Sequence, residues 1–296
     1  MRRIFVLLLL FLMVGFALST SAQKRTPLDD ADEIVHLWDN TTAKYSNHQT
    51  NEEEWVAKYA AAVQYSTSCD LSIYKANPEK NTGIAIANCP GGGYKRINFN
   101  KPLAKWLASK GITVALVKYR LPNGYKEVPL EDAMGAVRYL RTRTDLGINP
   151  AKVGVMGNSA GGHLSAWTSN AMPDGEKPAF AILQCPAINR TDPLYVKTFS
   201  TTGHLIGMDF PEGEADAMSA HHMVTAATPP TLLLLCDDDT AVPPTSPVAY
   251  YEALVRHGVK SSIHIFPEGG HSMRVIFNEA CKQMYDWLDW LGLTKK

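Results

Sequence analysis

Hydrophobic residues beyond position 70 fall into short apolar runs that alternate with segments of helical spacing. The runs are typical of buried strands and occupy residues 82–88, 112–117, 153–156, 180–184, 231–235 and 263–266. Apolar residues three or four positions apart predict helices over residues 103–109, 130–146, 163–170, 247–257 and 275–291. Since strands that alternate with helices form βαβ units, the pattern predicts an α/β fold: a mostly parallel central sheet with helices on both faces.

Two stretches depart from this alternation. Residues 23–66 are polar and rich in turn-forming residues, which predicts an irregular N-terminal segment. Residues 187–228 separate two predicted strands and have weaker periodicity. Connections of that length usually form functional lids or rims, so we expect an insertion near the active site. Residues 23–296 are then one domain.

The N-terminus has the composition of a secretory signal peptide. Arg2 and Arg3 precede an unbroken apolar run from Ile4 to Ala17, and small residues lead up to Ala22. The run is short for a membrane-spanning helix, which needs about 20 apolar residues, although an uncleaved anchor is the alternative. The sequence therefore predicts a signal peptide over residues 1–22, a secreted or periplasmic bacterial protein, and no stable membrane insertion after cleavage.

Composition narrows the possible functions. The chain has 296 residues, of which 45% are hydrophobic, and 29 basic residues balance 29 acidic ones. Ample apolar material excludes a disordered chain, and the balanced charge argues against a nucleic-acid partner. Five cysteines are too few for a disulfide scaffold, so we expect buried free thiols.

The segment Gly157-Asn158-Ser159-Ala160-Gly161 has the G-x-S-x-G pattern of a serine nucleophile. It lies between a predicted strand and a predicted helix, where a sharp turn exposes the serine hydroxyl. The free N–H groups at the helix N-terminus favour developing negative charge there. The alternative is a serine that only caps the helix.

Three consecutive glycines, Gly91 to Gly93, directly follow the predicted strand at 82–88. Bare backbone N–H groups in such a loop can stabilise an oxyanion, with Gly92 or Gly93 as one donor and Ala160 as the other. A phosphate-binding loop is excluded because no Lys-Ser or Lys-Thr follows at the required spacing. A plain tight turn is the alternative.

Two more polar segments follow later strands. Asp237, Asp238 and Asp239 come after the strand at 231–235, where a carboxylate could orient a catalytic histidine, and one of the three can fill that role. A cation site is the competing interpretation, but adjacent side chains diverge. His271 lies on a glycine-flanked loop after the strand at 263–266 and could act as the base. Structural or surface roles are expected for the other candidates, His163, His221 and His222.

Residues 71–291 resemble the α/β-hydrolase superfamily. The segments 89–94, 157–163 and 269–271 are similar to those of its secreted bacterial carbohydrate-esterase branch, which includes acetyl xylan and feruloyl esterases. Members of that branch carry an Asp-x-x-Val-Pro element, which Asp239 to Pro243 matches. The resemblance therefore selects Asp239 as the acid. Two departures are Cys89-Pro90, where many relatives have His-Gly, and Ser272, where glycine is common.

The resemblance implies a serine esterase that needs no cofactor and no metal. Ser159 would be the nucleophile, His271 the base and then the acid, and Asp239 the residue that orients the imidazole. The implied oxyanion donors are Gly92, Gly93 and Ala160. The implied substrate is an acylated carbohydrate, with the acetyl groups of xylan as the first choice.

Two other functional classes stay open. A serine peptidase of the prolyl oligopeptidase kind shares the serine and Asp-x-x-Val-Pro elements, but such enzymes usually carry a large propeller domain. About 70 residues precede the first well-defined strand, too few for a propeller. The second class is a binding protein on a degenerate hydrolase fold, against which the complete set of catalytic residue types argues.

Overall fold

The computed structural model describes residues 28–56, 61–195, 198–211 and 213–295, so the predicted signal peptide lies outside it. The strands, β1 to β11 in chain order, are Glu33–Asp39, Glu54–Trp55, Ala62–Gln64, Ser68–Tyr74, Ala85–Cys89, Ile97–Asn98, Thr113–Lys118, Val153–Asn158, Ala181–Gln184, Thr231–Cys236 and Ser261–Phe266. The helices, α1 to α7, are Lys101–Ser109, Glu127–Thr142, Ala160–Ala171, Thr198–Ile206, Glu214–Ala217, Thr245–Arg256 and Phe277–Trp290.

Eight of these strands form the main sheet, in the order β1-β4-β7-β5-β8-β9-β10-β11. The strands from β7 to β11 in this order pair in parallel, and β4 and β1 add an antiparallel edge. The mostly parallel sheet predicted from the alternation of elements is therefore confirmed. Strands β2, β3 and β6 form a separate small sheet.

Helices cover both faces of the main sheet. Successive side chains of a strand point to opposite faces, and β7 shows this clearly. Ala115 and Val117 pack in one buried cluster with residues of α2, α3 and α6, whereas Val114 and Leu116 pack in another with residues of α1 and α7. Each face has its own hydrophobic core, which is why the central strands are apolar on both sides.

The N-terminal segment differs from its prediction. Residues 23–66 were expected to be irregular, yet β1 lies within them and pairs with β4 from Glu33 opposite Ile73 to Asp39 opposite Ser68. An edge strand needs no continuous apolar run, because one of its faces and one of its edges meet solvent. The apolar residues of β1, three of which pack against one core, are interrupted by His36 and surrounded by polar, turn-forming residues, so the composition of the whole segment predicted irregular structure.

The predicted state of the cysteines is confirmed. All five are buried and carry free thiols. Cys89 and Cys236 end β5 and β10, where they fill space within the two cores as small apolar side chains.

A fully buried ion pair attaches the N-terminal segment to the sheet. Arg120 follows β7, and its guanidinium lies 2.7 Å from the buried carboxylate of Asp132 on α2. The same guanidinium donates to the backbone oxygen of Tyr45, and Trp38 of β1 donates its indole N–H to Asp132. The ion pair thus links the end of β7, helix α2 and the N-terminal segment before β2 through hydrogen bonds.

We expect Arg120→Met to destabilise the protein by about 3–5 kcal/mol, because it leaves the Asp132 carboxylate buried without its partner. Urea unfolding followed by circular dichroism measures this loss. Arg138→Met is the matched control: its ion pair with Glu176 is half exposed and contributes less than about 1 kcal/mol. Similar losses in the two variants would contradict the role given to the buried pair.

Candidate active site

Ser159 lies in the sharp turn between β8 and α3, as its motif predicts. Its backbone has φ 56° and ψ −124°, a conformation that residues with a side chain rarely adopt. The turn is held from both sides: the N–H of Ser159 donates to Gln184 on β9, and its carbonyl accepts from Ala187. Glycine is required at position 161, since a Cβ there would lie 2.0 Å from the carbonyl oxygen of Cys89.

His271 joins Ser159 and Asp239 in one chain of hydrogen bonds. Its Nε2 lies 2.8 Å from the Ser159 hydroxyl, and its Nδ1 lies 2.7 Å from a carboxylate oxygen of Asp239. Because a carboxylate only accepts, Nδ1 carries the hydrogen and Nε2 is free to accept the serine proton. The structure thus brings together three residues from the loops after β8, β10 and β11.

The surroundings of Asp239 keep it ionised. Burial alone would raise the pKa of this carboxyl, but hydrogen bonds from His271 and from the backbone N–H groups of Val242 and Ala241 hold the pKa below its usual value. A buried carboxylate with these donors keeps its charge when the imidazole takes up a proton.

The thiol of Cys185, which the sequence did not connect with the site, lies beside Asp239 and His271. The Sγ of Cys185, a carboxylate oxygen of Asp239 and a ring nitrogen of His271 lie within 4.8 Å of one another, the spacing of a possible metal site. The hydrogen bond to Cys236, together with burial and the charge of Asp239, raises the pKa of the Cys185 thiol, so it keeps its proton. A protonated thiol is a poor metal ligand, and the other two groups are hydrogen-bonded to each other.

The three consecutive aspartates have different surroundings, and Asp239 is the one bonded to His271. Asp238 accepts hydrogen bonds from the N–H groups of Gly269, at 3.2 Å, and Gly270, at 2.7 Å, which immediately precede His271. Asp237 is exposed. Asp238 therefore fixes the histidine loop, a role that could not be read from the sequence because it depends on contacts 31 and 32 residues away.

The glycine loop faces the same cavity as Ser159 and His271, and Gly92 and Gly93 line it. Gly91 donates its N–H to the side chain of Asn158 at 3.0 Å. In the described part of the chain, the N–H groups of Gly92, Gly93 and Ala160 donate to no other residue. These donors are thus available to a ligand at the serine turn.

The insertion at 187–228 contributes one wall of this cavity, whose volume is about 270 Å³, through Tyr195, Thr201 and His204. His204 donates its Nδ1–H to the carbonyl of Gly93 at 3.1 Å. Burial lowers the pKa of His204 despite this hydrogen bond, so the imidazole is neutral and its Nε2 is an acceptor. Lys95 and Arg96 also line the cavity, and none of the described lining residues is acidic.

The other histidines considered from the sequence lie outside the cavity, as expected. His163 is buried, with Nε2 donating to the carbonyl of Met218 and Nδ1 accepting from the hydroxyl of Tyr94. Burial lowers the pKa of His163 far below its usual value. His222 pairs with Asp216 on the surface, and His221 lies beside it.

Residues 98–293, more than half of the chain, match the prolyl oligopeptidase family. The chain belongs to this family. It is also 34% identical over 205 residues to an acetylxylan esterase of Xylanibacter ruminicola. That alignment covers 66% of this chain but 42% of the relative, so the chain spans less than half of that protein's length.

Solved structures confirm the fold of this family member. An acetyl ester-xyloside bifunctional hydrolase from Caldicellulosiruptor lactoaceticus superimposes with a TM-score of 0.72 at 26% identity, covering 88% of this chain and 97% of that one. A thermophilic esterase from Thermogutta terrifontis gives 0.62 at 21% identity, covering 79% and 94% respectively, and shows the fold alone. The predicted α/β-hydrolase fold and the resemblance to acetyl xylan esterases are confirmed.

The different positions of the three aspartates predict graded effects on the reactivity of Ser159. We expect Asp239→Asn to slow labelling by a fluorophosphonate on the order of 10³-fold or more, because the imidazole loses its orienting partner. Asp238→Asn should slow it about tenfold through displacement of the His271 loop. Asp237→Asn, the matched control, should stay within about twofold, since the exposed Asp237 carboxylate, unlike that of Asp238, makes no hydrogen bond to the His271 loop. Labelling rates measured by mass spectrometry test this order, and equal rates for all three variants would contradict it.

Proposed function

We propose that this protein is a serine esterase that removes acyl groups, acetyl above all, from plant polysaccharides such as xylan or from derived oligosaccharides. The observation that carries the proposal is the continuous hydrogen-bond chain from Ser159 through His271 to Asp239. It lies beside glycine N–H groups that donate to none of the described residues, in a chain related to an acetylxylan esterase. This combination is suited to acyl transfer.

The first half of the reaction forms an acyl-enzyme. The Ser159 oxygen attacks the ester carbonyl while Nε2 of His271 takes up its proton, and Asp239 stabilises the resulting imidazolium. The negative oxygen of the tetrahedral intermediate accepts hydrogen bonds from Ala160 and from Gly92 or Gly93, each of which typically contributes about 3 kcal/mol. The intermediate collapses when His271 passes the proton to the departing sugar oxygen.

The second half of the reaction hydrolyses the acyl-enzyme and releases the acyl group as a carboxylic acid. A water molecule loses a proton to His271 and attacks the acyl carbonyl, and the same N–H groups stabilise the second oxyanion. Proton return to Ser159 restores the enzyme. The residues of this chain supply every group in these steps, so the scheme uses no cofactor or metal.

The dimensions and charge of the cavity support this substrate class. Its volume of about 270 Å³ lies just below the usual range of ligand-binding pockets, about 300–1,000 Å³, which favours a small acyl group. Lys95 and Arg96 disfavour a cationic substrate such as a peptide with a free amino terminus at this position. The names of two relatives, an acetylxylan esterase and an acetyl ester-xyloside hydrolase, agree with a sugar as the alcohol.

We expect the wild-type protein to release acetate from acetylated xylo-oligosaccharide and from p-nitrophenyl acetate. Ser159→Ala should reduce both rates at least about 10⁴-fold, because the attacking oxygen is lost. Methyl ferulate and a peptide amide tested in parallel define the acyl group and the bond. Acetate is measured enzymatically, and a thermal melt checks that the variant is folded.

Each alternative has its own outcome in that panel. Cleavage of the peptide amide would replace the esterase with the peptidase function of the family. Turnover of the nitrophenyl ester alone would support the mechanism but contradict a carbohydrate as the substrate. A folded protein that is inactive on all substrates would contradict the esterase and favour the non-catalytic binding protein.

We further propose that the protein is exported and that residues 1–22 are removed, which would bring it to polysaccharide outside the cytoplasm. Within the described ranges, no helix is long and apolar enough to cross a membrane. Expression of the full chain in a Gram-negative host should give a periplasmic protein that begins at Gln23, as measured by intact mass. A protein that keeps Met1 in the cytoplasmic fraction would contradict export.

A further inference from the structure

A second cavity, of about 330 Å³, lies next to the one that contains Ser159. Lys95 and His204 line both cavities, so the two are neighbours across these side chains. Besides the glycine loop, three parts of the chain build the second cavity: Gln49 and Tyr65 come from the N-terminal segment, Asn123 from the loop after β7, and Met208 from the insertion. None of these four residues takes part in the proposed reaction.

The lining of this cavity combines apolar surfaces with hydrogen-bonding groups, of which Lys95 carries a positive charge and the others are uncharged. The Tyr65 ring and the side chain of Met208 offer apolar contact, and the amides of Gln49 and Asn123 offer donors and acceptors. His204 adds an acceptor at Nε2, because its Nδ1 donates to Gly93. A pyranose ring has apolar C–H faces and a rim of hydroxyl groups, which this combination complements.

The cavity is held in shape by buried hydrogen bonds. The amide of Asn47, which is fully buried, donates to the carbonyl oxygens of Ser66, at 2.8 Å, and Leu121, at 2.7 Å. Asn123 in turn donates its side-chain N–H to the carbonyl of Asn47 at 2.9 Å. Tyr65 and Asn123 are held at positive φ, 55° and 49°. Such strain persists where the surroundings fix the backbone, so the wall is preformed.

We propose that this second cavity binds the sugar unit next to the acylated one, so that the protein recognises an oligosaccharide or polysaccharide rather than an isolated acetylated sugar. The inference rests on the proposed function for the identity of the acylated unit. It also gives the N-terminal segment a role, since Gln49 and Tyr65 form one side of the site. Binding energy from this unit would help to hold the ester against Ser159.

Chain-length dependence tests the proposal. We expect kcat/KM for acetylated xylotriose to exceed that for acetylated xylose about tenfold in the wild-type protein, which corresponds to about 1.4 kcal/mol of additional binding. Tyr65→Ala and Gln49→Ala should bring this ratio close to one, because each removes a contact made only by the longer substrate. Tyr45→Ala is the matched control: Tyr45 belongs to the same segment, is exposed and lines neither cavity, so the ratio should stay at tenfold.

Calorimetric titration of Ser159→Ala with unsubstituted xylotriose gives a second readout that does not depend on turnover. We expect binding that weakens about tenfold when Tyr65→Ala or Gln49→Ala is added. A ratio near one in the wild-type protein, or an unchanged ratio and affinity in a folded Tyr65→Ala or Gln49→Ala protein, would overturn the second sugar site. Thermal melts identify the folded variants.

The two proposals fail in different ways. Xylotriose binding that depends on Tyr65 and Gln49, without release of acetate from any acetylated sugar, would overturn the esterase function and keep the sugar site. Release of acetate that is indifferent to chain length and to both substitutions would keep the esterase and remove the sugar site.

Discussion

The close approach of two backbone segments underlies the geometry of this site. The end of β5 and the loop after it pack tightly against the first turn of α3. The carbonyl of Cys89 leaves no room for a Cβ on residue 161, which is therefore glycine. This contact places the glycine N–H groups and the Ser159 hydroxyl on the wall of the same cavity. It is possible because β5 and β8 are neighbours in the parallel sheet, so their carboxyl ends meet at one edge.

The features that could be predicted from the sequence are those encoded within a few consecutive residues. Apolar runs identified the central strands, and the glycine patterns identified the turns at Ser159 and His271. By contrast, three contacts form only after the sheet has folded. They join Arg120 to Asp132, Asp238 to the histidine loop, and Cys185 to Asp239. Strand β1 was missed because its apolar residues stand within a polar, turn-rich segment, and its pairing with β4 identifies it as a strand only in the folded sheet.

The two segments that departed from the regular alternation have converged in space. The N-terminal segment and the insertion are far apart in the sequence, yet Tyr65 of the first and His204 of the second line the same cavity. In the proposed reaction, the loops that follow the sheet strands carry the nucleophile, the acid and the base, while these two segments form the surfaces that a substrate beyond the ester would meet. The proposed chemistry and the proposed recognition thus belong to different segments of the chain, which allows them to change independently.

The buried imidazole of His163 has a consequence for the motion of the insertion. It lies in the helix that begins next to Ser159, and its N–H donates to the carbonyl of Met218 within the insertion. Moving this part of the insertion away would leave a buried donor and a buried carbonyl unpaired, at a cost of about 1–3 kcal/mol for each. The part of the insertion around Met218 is therefore anchored to α3, and an opening of the whole insertion as one lid, of the kind that lipases undergo at a lipid surface, would have to break this bond.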